Sequence, residues 1–407
     1  MDIDGSSTSN ITPVRRIRKQ TFDNKVRQRR LSQLTYQLFD LAKRERDFLL
    51  IIAVLLLTGG AVAPYPSIAR WFGFVLASYS AIANDSIQTI GTFIASNARR
   101  KWWYLWLFIG LVFIATTTYS WVVYQGDVSY QRLAEKGFTE APQTFSFLQL
   151  FAPIALLILT RLRIPVSTSF LLLNVFATEP ASMYNVLQKS LYGYFIAFLV
   201  AIPVWYLFSK LAGKYFKTKP WKGWVVFQWM ISGLLWSTWL MQDASNIAVF
   251  LPRSLSLVEF LMFIGFIFFG LGLLFYLKGS KMQKLVDEKA GITDTRAAML
   301  VNLVYMLILF YFKNLNNVPM STTWVFIGLL GGREIAISFA KKKAQRRKKS
   351  LRKSFKFINR DLRHALIGLV ISITLAILVN PVIQEAIKGL ITGLISRPLI
   401  TLLGASK

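Results

Sequence analysis

Residues 83–92 read ANDSIQTIGT and lie inside an apolar run that ends at the basic triplet 99–101. In this first motif the amide Asn84 precedes the carboxylate Asp85, and a second amide, Gln88, follows three residues later. Residues i and i+4 share a helix face, so Asn84 and Gln88 align with Asp85 between them. A carboxylate in hydrocarbon is costly and therefore normally faces a cavity, a partner or an ion.

The same pattern occurs again at residues 242–246, the second motif, inside another apolar run. Gln242 precedes Asp243, and Asn246 follows three residues later. On a helix, Gln242 and Asn246 share a face with Asp243 between them. Two such carboxylates in corresponding halves of one membrane protein point to a transporter.

Each carboxylate is followed, far along the chain, by a proline and a cluster of hydroxyl residues. The first tip is PVSTS at 165–169, and the second tip is PMSTT at 319–323. The first serine of each tip follows its carboxylate by 82 positions in one half (167 − 85) and by 78 in the other (321 − 243). Two motifs that repeat in the same order at nearly the same spacing indicate an internal duplication.

The composition is that of a polytopic membrane protein. The chain has 407 residues, of which 54% are hydrophobic, and its mean hydropathy is +0.46. Several windows exceed the length of apolar sequence that a membrane helix needs. The absence of cysteine excludes disulfides and thiolate chemistry, and the single histidine, His364, excludes a multi-histidine metal site within one chain.

The net charge of +29 would suggest a nucleic-acid partner in a soluble protein. Here the basic residues cluster between the apolar runs, which is typical of cytoplasmic loops that also attract anionic lipid. We therefore expect no nucleic-acid partner and a plasma (inner) membrane location with cytoplasmic basic tails. A regulatory or nucleic-acid role for the tails is the alternative.

These features divide the chain into six parts. They are a basic cytoplasmic N-terminal segment with an amphipathic helix, 1–47; a first transmembrane repeat, 48–209; a basic cytoplasmic linker, 210–222; the core of a second, inverted repeat, 223–340; a basic cytoplasmic loop, 341–363; and C-terminal transmembrane segments, 364–407.

The expected fold is an all-α polytopic membrane protein, an inverted-repeat transporter with two re-entrant hairpins and broken helices. Residues 68–98 are too long for a simple span and predict a broken helix around the first motif. The apolar pieces 144–178 and 298–338 predict the hairpins, with tips at membrane depth where protein or a water cavity must surround irregular backbone. All basic clusters fall on one side, so the hairpins open to opposite sides, as alternating access requires.

The tips have the chemistry of an oxyanion site. Proline suits the first turn of a helix, and serine and threonine cap its unpaired N–H groups. The start of a half-helix also carries the positive end of the helix dipole, which favours an anion. We expect six hydroxyl groups to contact the substrate: those of Ser167, Thr168, Ser169, Ser321, Thr322 and Thr323.

The two carboxylates have the chemistry of a coupling site. Charged aspartates repel an anion unless cations lie between them, and hard cations such as sodium take carboxylate, amide and carbonyl oxygens. The alternative is that the carboxylates bind protons, since burial raises their proton affinity. We expect sodium or a proton at Asp85 and Asp243, with no other cofactor. The coupling-ion residues are Asn84, Asp85, Gln88, Gln242, Asp243 and Asn246.

These four stretches resemble the inorganic phosphate transporter (PiT) family, whose repeats carry two G-A-N-D-V-A-N-A-I-G-T signatures and two P-V-S-T-T-H tips. The first motif matches at residues 83–85 and 90–92, with Gln88 in place of the second asparagine. The second motif matches at Asp243 and Asn246, and both tips match at proline, serine and threonine. The resemblance implies sodium- or proton-coupled phosphate uptake, with Asn and Asp groups on the cations and hydroxyl groups on the anion.

The chain departs from the family at informative positions. Phe170 and Trp324 stand where each tip of the family has histidine, and Ile82 replaces the opening glycine of the first signature. Open alternatives are therefore a sulfate or other oxyanion permease, or a passive anion channel or receptor with a transporter fold. An enzyme is not expected, because no histidine or lysine base stands beside either tip. The expected partners are phosphate or a related oxyanion and membrane lipid, with a homodimer left open.

Overall fold

A computed structural model describes residues 45–135, 137–162, 164, 166–215, 221, 223–277, 295–341, 344–389 and 391–392. It leaves out the side chains of 84–87, 212–215 and 344. The amphipathic helix predicted within residues 1–47 lies almost wholly outside the described residues.

The described chain is helical, and no strand occurs in it. The helices are α1 Arg46–Val62, α2 Pro66–Ser96, α3 Trp102–Val123, α4 Phe147–Arg161, α5 Pro180–Tyr215, α6 Gly223–Ala248, α7 Leu257–Tyr276, α8 Thr295–Leu315, α9 Thr322–Phe339 and α10 Ala344–Val379. Short irregular helices comprise 3-10 turns at Arg132–Ala134 and Asn174–Phe176 and a π-helical turn at Ser169–Leu173.

Among the described residues, five helices are long and apolar enough to cross a bilayer: α3, α5 as far as Leu211, α7, α8, and α10 from Gln345. About 20 helical residues span the hydrocarbon of a membrane. The protein is therefore an all-α polytopic membrane protein, as its composition predicts.

The helices of the two halves pack in matching pairs. Helices α2 and α6, which carry the motifs, pack against each other, and so do their followers α3 and α7. Helix α4 packs on α2 just as α8 packs on α6. The last long helix of each half crosses to the other half, since α5 packs on α9 while α10 packs on the irregular segment 169–176. The helices of the two halves thus pair in the same order in which the duplicated motifs occur along the chain.

Helix α2 is continuous from Pro66 to Ser96, so the break expected within residues 68–98 is wrong. Its interior glycine at position 73 serves close packing instead, because a Cβ there would lie 2.3 Å from a ring carbon of Phe250. Irregular backbone follows the first tip, where the second arm of the hairpin is reduced to the turns at 169–176.

The two hairpins differ in length. Helix α4 has 15 residues, whereas α8 has 21 and meets the length and composition of a full span. The turn that follows α8 contacts Arg132, in the loop between α3 and α4 that the sequence places on the outer side. The turn of the second hairpin therefore packs against the loop between α3 and α4.

The basic segment 341–363 is not a loop, because α10 runs through it as one helix. No proline or glycine interrupts residues 344–363, and Ser354 donates a hydrogen bond to the Glu334 carbonyl of α9 at 3.1 Å. Its charged side chains are mostly exposed, as the charge pattern predicts. Helix α5 likewise extends to Tyr215, into the predicted linker 210–222.

Of the described helices, α5 and α9 pack against each other most extensively, and glycines allow the close approach. A Cβ added at Gly328 would lie 2.3 Å from the carbonyl oxygen of Tyr194, and one at Gly332 would lie 2.2 Å from that of Phe198. Small residues four apart let two helix backbones approach closely in membranes. This contact positions α9 and, through it, the second tip.

We predict that Gly332→Ala destabilises the protein by about 1–3 kcal/mol, because the obstacle is backbone and cannot rotate away. The matched control is Gly265→Ala in α7, where an added Cβ meets nothing within 4 Å. The control should be neutral or slightly stabilising, since alanine favours helix. Thermal unfolding of the two variants in the same detergent measures the difference, and equal melting temperatures would contradict the prediction.

Candidate functional site

The first serine of each tip caps the helical turn that follows it. The Phe170 N–H donates to Ser167 Oγ at 3.2 Å, and the Trp324 N–H donates to Ser321 Oγ at 3.3 Å. Serine and threonine prefer this position because their oxygen satisfies an otherwise unpaired N–H. Each serine accepts through its oxygen, so its hydroxyl hydrogen remains to be donated.

The two tips contact each other. Ser169 Oγ donates to the Met320 carbonyl oxygen at 3.0 Å, which joins residues 151 positions apart. Beside this bond the rings of Phe170 and Trp324 pack edge-on, with centroids 6.1 Å apart. The two positions that are histidine in the resembling family are therefore in contact here, as an aromatic pair.

The second motif reaches both tips. Asp243 is 1% exposed, and its Oδ2 accepts from Thr322 Oγ1 of the second tip at 2.5 Å. Asn246 donates from one amide nitrogen to Asp243 Oδ1 at 2.8 Å and to Thr168 Oγ1 of the first tip at 2.9 Å. Trp239 Nε1 donates to Thr322 Oγ1 at 3.3 Å. This network buries one carboxylate at the meeting point of both halves.

The first motif reaches the second tip. Gln88 Nε2 donates to Thr323 Oγ1 at 3.2 Å, across 235 positions of sequence. Asn84 and Asp85 lie one turn earlier on the same helix, and their side chains are outside the described part. In both halves, then, the second amide of the motif bonds to a hydroxyl of the opposite tip.

Two buried amide oxygens of the second motif accept no hydrogen bond. They are Asn246 Oδ1 and Gln242 Oε1. The nitrogen of Gln242 donates to the Leu309 carbonyl of α8 at 2.9 Å, so this residue is directed at its own hairpin arm rather than at a tip. Carboxylate and amide oxygens are ligands that sodium accepts. Asp243 and Asn246 therefore offer oxygens that suit a cation beside the tips. The unpaired oxygen of Gln242 also suits a cation, but this side chain is directed at α8.

Two further buried asparagines near the cluster lie outside the repeated motifs and tips. Asn302 on α8 accepts from Thr92 of α2 at 2.6 Å and donates to Ser232 of α6 at 2.9 Å, which links three helices. An asparagine in an apolar helix was the available signal. Asn174, after the first tip, is fully buried, and neither side-chain amide atom has a hydrogen-bond partner.

Arg253 joins two loops through hydrogen bonds to their backbone carbonyls. Its guanidinium donates to four backbone carbonyls, those of Phe138, Glu140, Val249 and Leu251. Burial lowers the pKa of Arg253 to about 10, and Asp127 opposes this shift. Because these bonds connect the loop after α3 with the loop after α6, they fix the ends of two neighbouring helices.

The chain matches no protein-family model, no curated protein and no solved structure. The class of protein is therefore assigned from the sequence and structure of this chain. It is a multi-pass membrane protein in which two similarly ordered halves converge on one buried polar cluster.

We predict that Thr322→Val destabilises the folded protein by about 1–3 kcal/mol, because it leaves a buried carboxylate oxygen without its hydroxyl donor. The control is Thr374→Val on α10, whose exposed hydroxyl bonds only to the Val370 carbonyl of its own helix. That change should stay within about 0.5 kcal/mol. Parallel thermal melts test this, and an equally small effect at both positions would contradict it.

Proposed function

We propose that the protein is a secondary active transporter that moves inorganic phosphate across the membrane by alternating access, coupled to sodium or protons. The observation that carries this proposal is the buried Asp243, bonded to a hydroxyl of one tip and, through Asn246, to a hydroxyl of the other. A buried carboxylate beside many hydroxyl donors suits a cation and an anion bound together.

The hydrogen-bond pattern divides the six tip hydroxyls into two groups. Ser169 and Thr322 already donate their hydrogens, to a carbonyl and to Asp243. The other four accept bonds from N–H groups and keep a hydrogen to donate: Ser167, Thr168, Ser321 and Thr323. Each tip supplies two of these donors. We propose these four hydroxyls as the oxyanion ligands.

The cation belongs at Asp243 and Asn246 and, by the repeat, at Asp85. Its charge offsets the repulsion between carboxylate and oxyanion, so each ligand strengthens binding of the other. Such coupling is reciprocal, because both affinities change by the same factor. A proton on the carboxylate would achieve the same neutralisation. The location that fits this role is the plasma membrane with the basic segments cytoplasmic.

A sulfate or other oxyanion permease is the second candidate, and the Phe170–Trp324 pair is compatible with it. With aromatic rings at both positions, the tips offer neutral hydroxyl and N–H donors and no titratable side chain. Neutral donors do not distinguish phosphate from sulfate by protonation state. The preference for phosphate or sulfate is therefore tested by measuring uptake of both anions.

Uptake of labelled phosphate and labelled sulfate into proteoliposomes tests the function. We expect saturable uptake of one of them that rises with an inward sodium gradient or an inward proton gradient. Uptake that ignores both gradients and follows only the anion gradient would indicate a passive channel. No uptake of either anion by correctly inserted protein would overturn the proposal.

Two variants test the division of roles. Asp243→Asn keeps the shape and removes the charge, so we expect it to weaken the sodium or pH dependence of anion binding. Ser167→Ala removes an anion donor and should weaken anion binding by roughly tenfold to a hundredfold, because a hydrogen bond to a charged group contributes about 1.5–3 kcal/mol.

Ser146→Ala is the matched control for Ser167→Ala. Ser146 also caps a helix, accepting from the Gln149 N–H at 3.2 Å, but it lies at the exposed start of α4. Loss of a cap alone should leave anion affinity unchanged. Identical cation profiles for Asp243→Asn and Ser167→Ala would show that the proposed roles are wrong.

A further inference from the structure

Arg132 is a fully buried cation next to the second hairpin. It lies on the 3-10 turn between α3 and α4, and its exposed fraction is 0%. Its guanidinium donates to the Asn316 carbonyl at 2.5 Å, to those of Lys313 and Met241 at 3.3 Å, and to that of Val318 at 3.5 Å. It therefore joins the second motif helix to the turn between α8 and the second tip.

Lys189 on α5 binds the same turn. Its Nζ donates to the Val318 carbonyl at 2.6 Å, to Asn316 Oδ1 at 2.7 Å and to the Asn316 carbonyl at 3.1 Å. These oxygens only accept hydrogen bonds, so three bonds require three hydrogens on the amine. All the hydrogen-bonding capacity of this buried amine is therefore directed at the turn.

The charges of this pair are not balanced by their bonding partners. Every acceptor that Arg132 and Lys189 reach in the described chain is a neutral carbonyl or amide oxygen. Burial lowers the pKa of Arg132 to about 10, with Asp243 and then Glu135 opposing the shift, so the guanidinium stays charged at neutral pH. The C-terminal end of α8 contributes about half a negative charge. Buried charges normally have an ionic partner in direct contact, and in the described chain neither Arg132 nor Lys189 donates a hydrogen bond to a carboxylate.

The turn that covers the two cations is itself exposed. Residues 314–317 face solvent, whereas Arg132 and Lys189 beneath them are buried. The neighbour of Lys189 on α5, Ser190, accepts the Ser321 N–H at 2.8 Å. Movement of this turn would therefore expose two cations and pull on the second tip together.

We propose that Arg132 and Lys189 form a second oxyanion site, where a phosphate-type anion takes over the N–H donors now bound to the turn. Guanidinium and ammonium groups bind oxyanions through charge-assisted bonds about twice as strong as those to neutral acceptors. The anion supplies a negative charge in direct contact with both side chains and releases residues 316–318. This inference rests on the proposed function for the class of anion, and it adds a capture site beside the tips.

Binding of labelled inorganic phosphate to the purified full chain in detergent tests the proposal. Wild-type protein should bind two phosphates per chain, one at the tips and one at this pair. No bound phosphate, or a single phosphate that the Arg132→Gln, Lys189→Met double variant binds as tightly as wild-type protein, would overturn the proposal. Failure of transport in proteoliposomes would count against the proposed function and leave this measurement intact.

Variants locate the second phosphate. Arg132→Gln with Lys189→Met should weaken one of the two sites by roughly tenfold to a hundredfold and leave the other unchanged. Arg253→Gln is the matched control, since Arg253 also donates to carbonyls but lies away from the turn; it should keep both sites. Unchanged binding in the double variant would overturn the proposal. Arg132→Lys with Lys189→Arg keeps both charges and should restore the second site.

A lipid phosphate is the other source of the same chemistry. The binding experiment is repeated in nanodiscs of phosphatidylcholine alone and of phosphatidylcholine with phosphatidic acid. If soluble phosphate is the ligand, the second site persists in both. If a headgroup is the ligand, phosphatidic acid removes the second phosphate from wild-type protein. A second site that is identical in wild-type and double-variant protein in both membranes would refute the assignment.

Discussion

The buried carboxylate of Asp243 is the constraint on which the rest of the structure depends. An unpaired charge at this depth would cost several kcal/mol, so hydroxyl and amide donors must surround it. Thr322 comes from its own half, and Asn246 extends the network to Thr168 in the other half. Satisfying one charge thus requires both tips and the second motif helix to assemble together, and the exchanged packing of α5 and α10 holds them there.

The duplicated polar pattern predicted much of this arrangement. Amides and carboxylates at helical spacing inside apolar runs identified α2 and α6, and Pro-x-Ser-Thr identified the two tips. The structure brings Gln88, Asn246 and Asp243 to tip hydroxyls, as the matched spacing suggested. The sequence predicted which residues converge because buried polar groups in membrane helices must find one another.

Other features of the structure cannot be predicted from local sequence, because they depend on contacts between distant parts of the chain. Arg132 lies in a polar loop, where an arginine is unremarkable, and only the tertiary fold buries it beneath the turn after α8. Lys189 begins a long span, where a lysine is usually read as an interface residue. The length of residues 68–98 alone suggests a break that α2 does not have, because the glycine at position 73 accommodates a neighbouring ring. The charge of residues 341–363 predicts exposure, but it does not distinguish a loop from the exposed start of helix α10.

The two halves have the same order of helices and motifs, but the segments that follow their tips differ in regularity. This difference bears on how a site between the tips can open. The second tip continues into α9, whose glycines seat it directly on the α5 backbone. The first tip continues into π and 3-10 turns, and Asn380 from the end of α10 bonds their carbonyls at Asn174 and Ala177. Irregular turns hold fewer internal hydrogen bonds than an α-helix, so they deform at lower cost. Helices α5 and α9 therefore form the stiff side of the cluster. The first tip, which Ser169 joins to the second tip and Thr168 joins to α6, is the side that can yield.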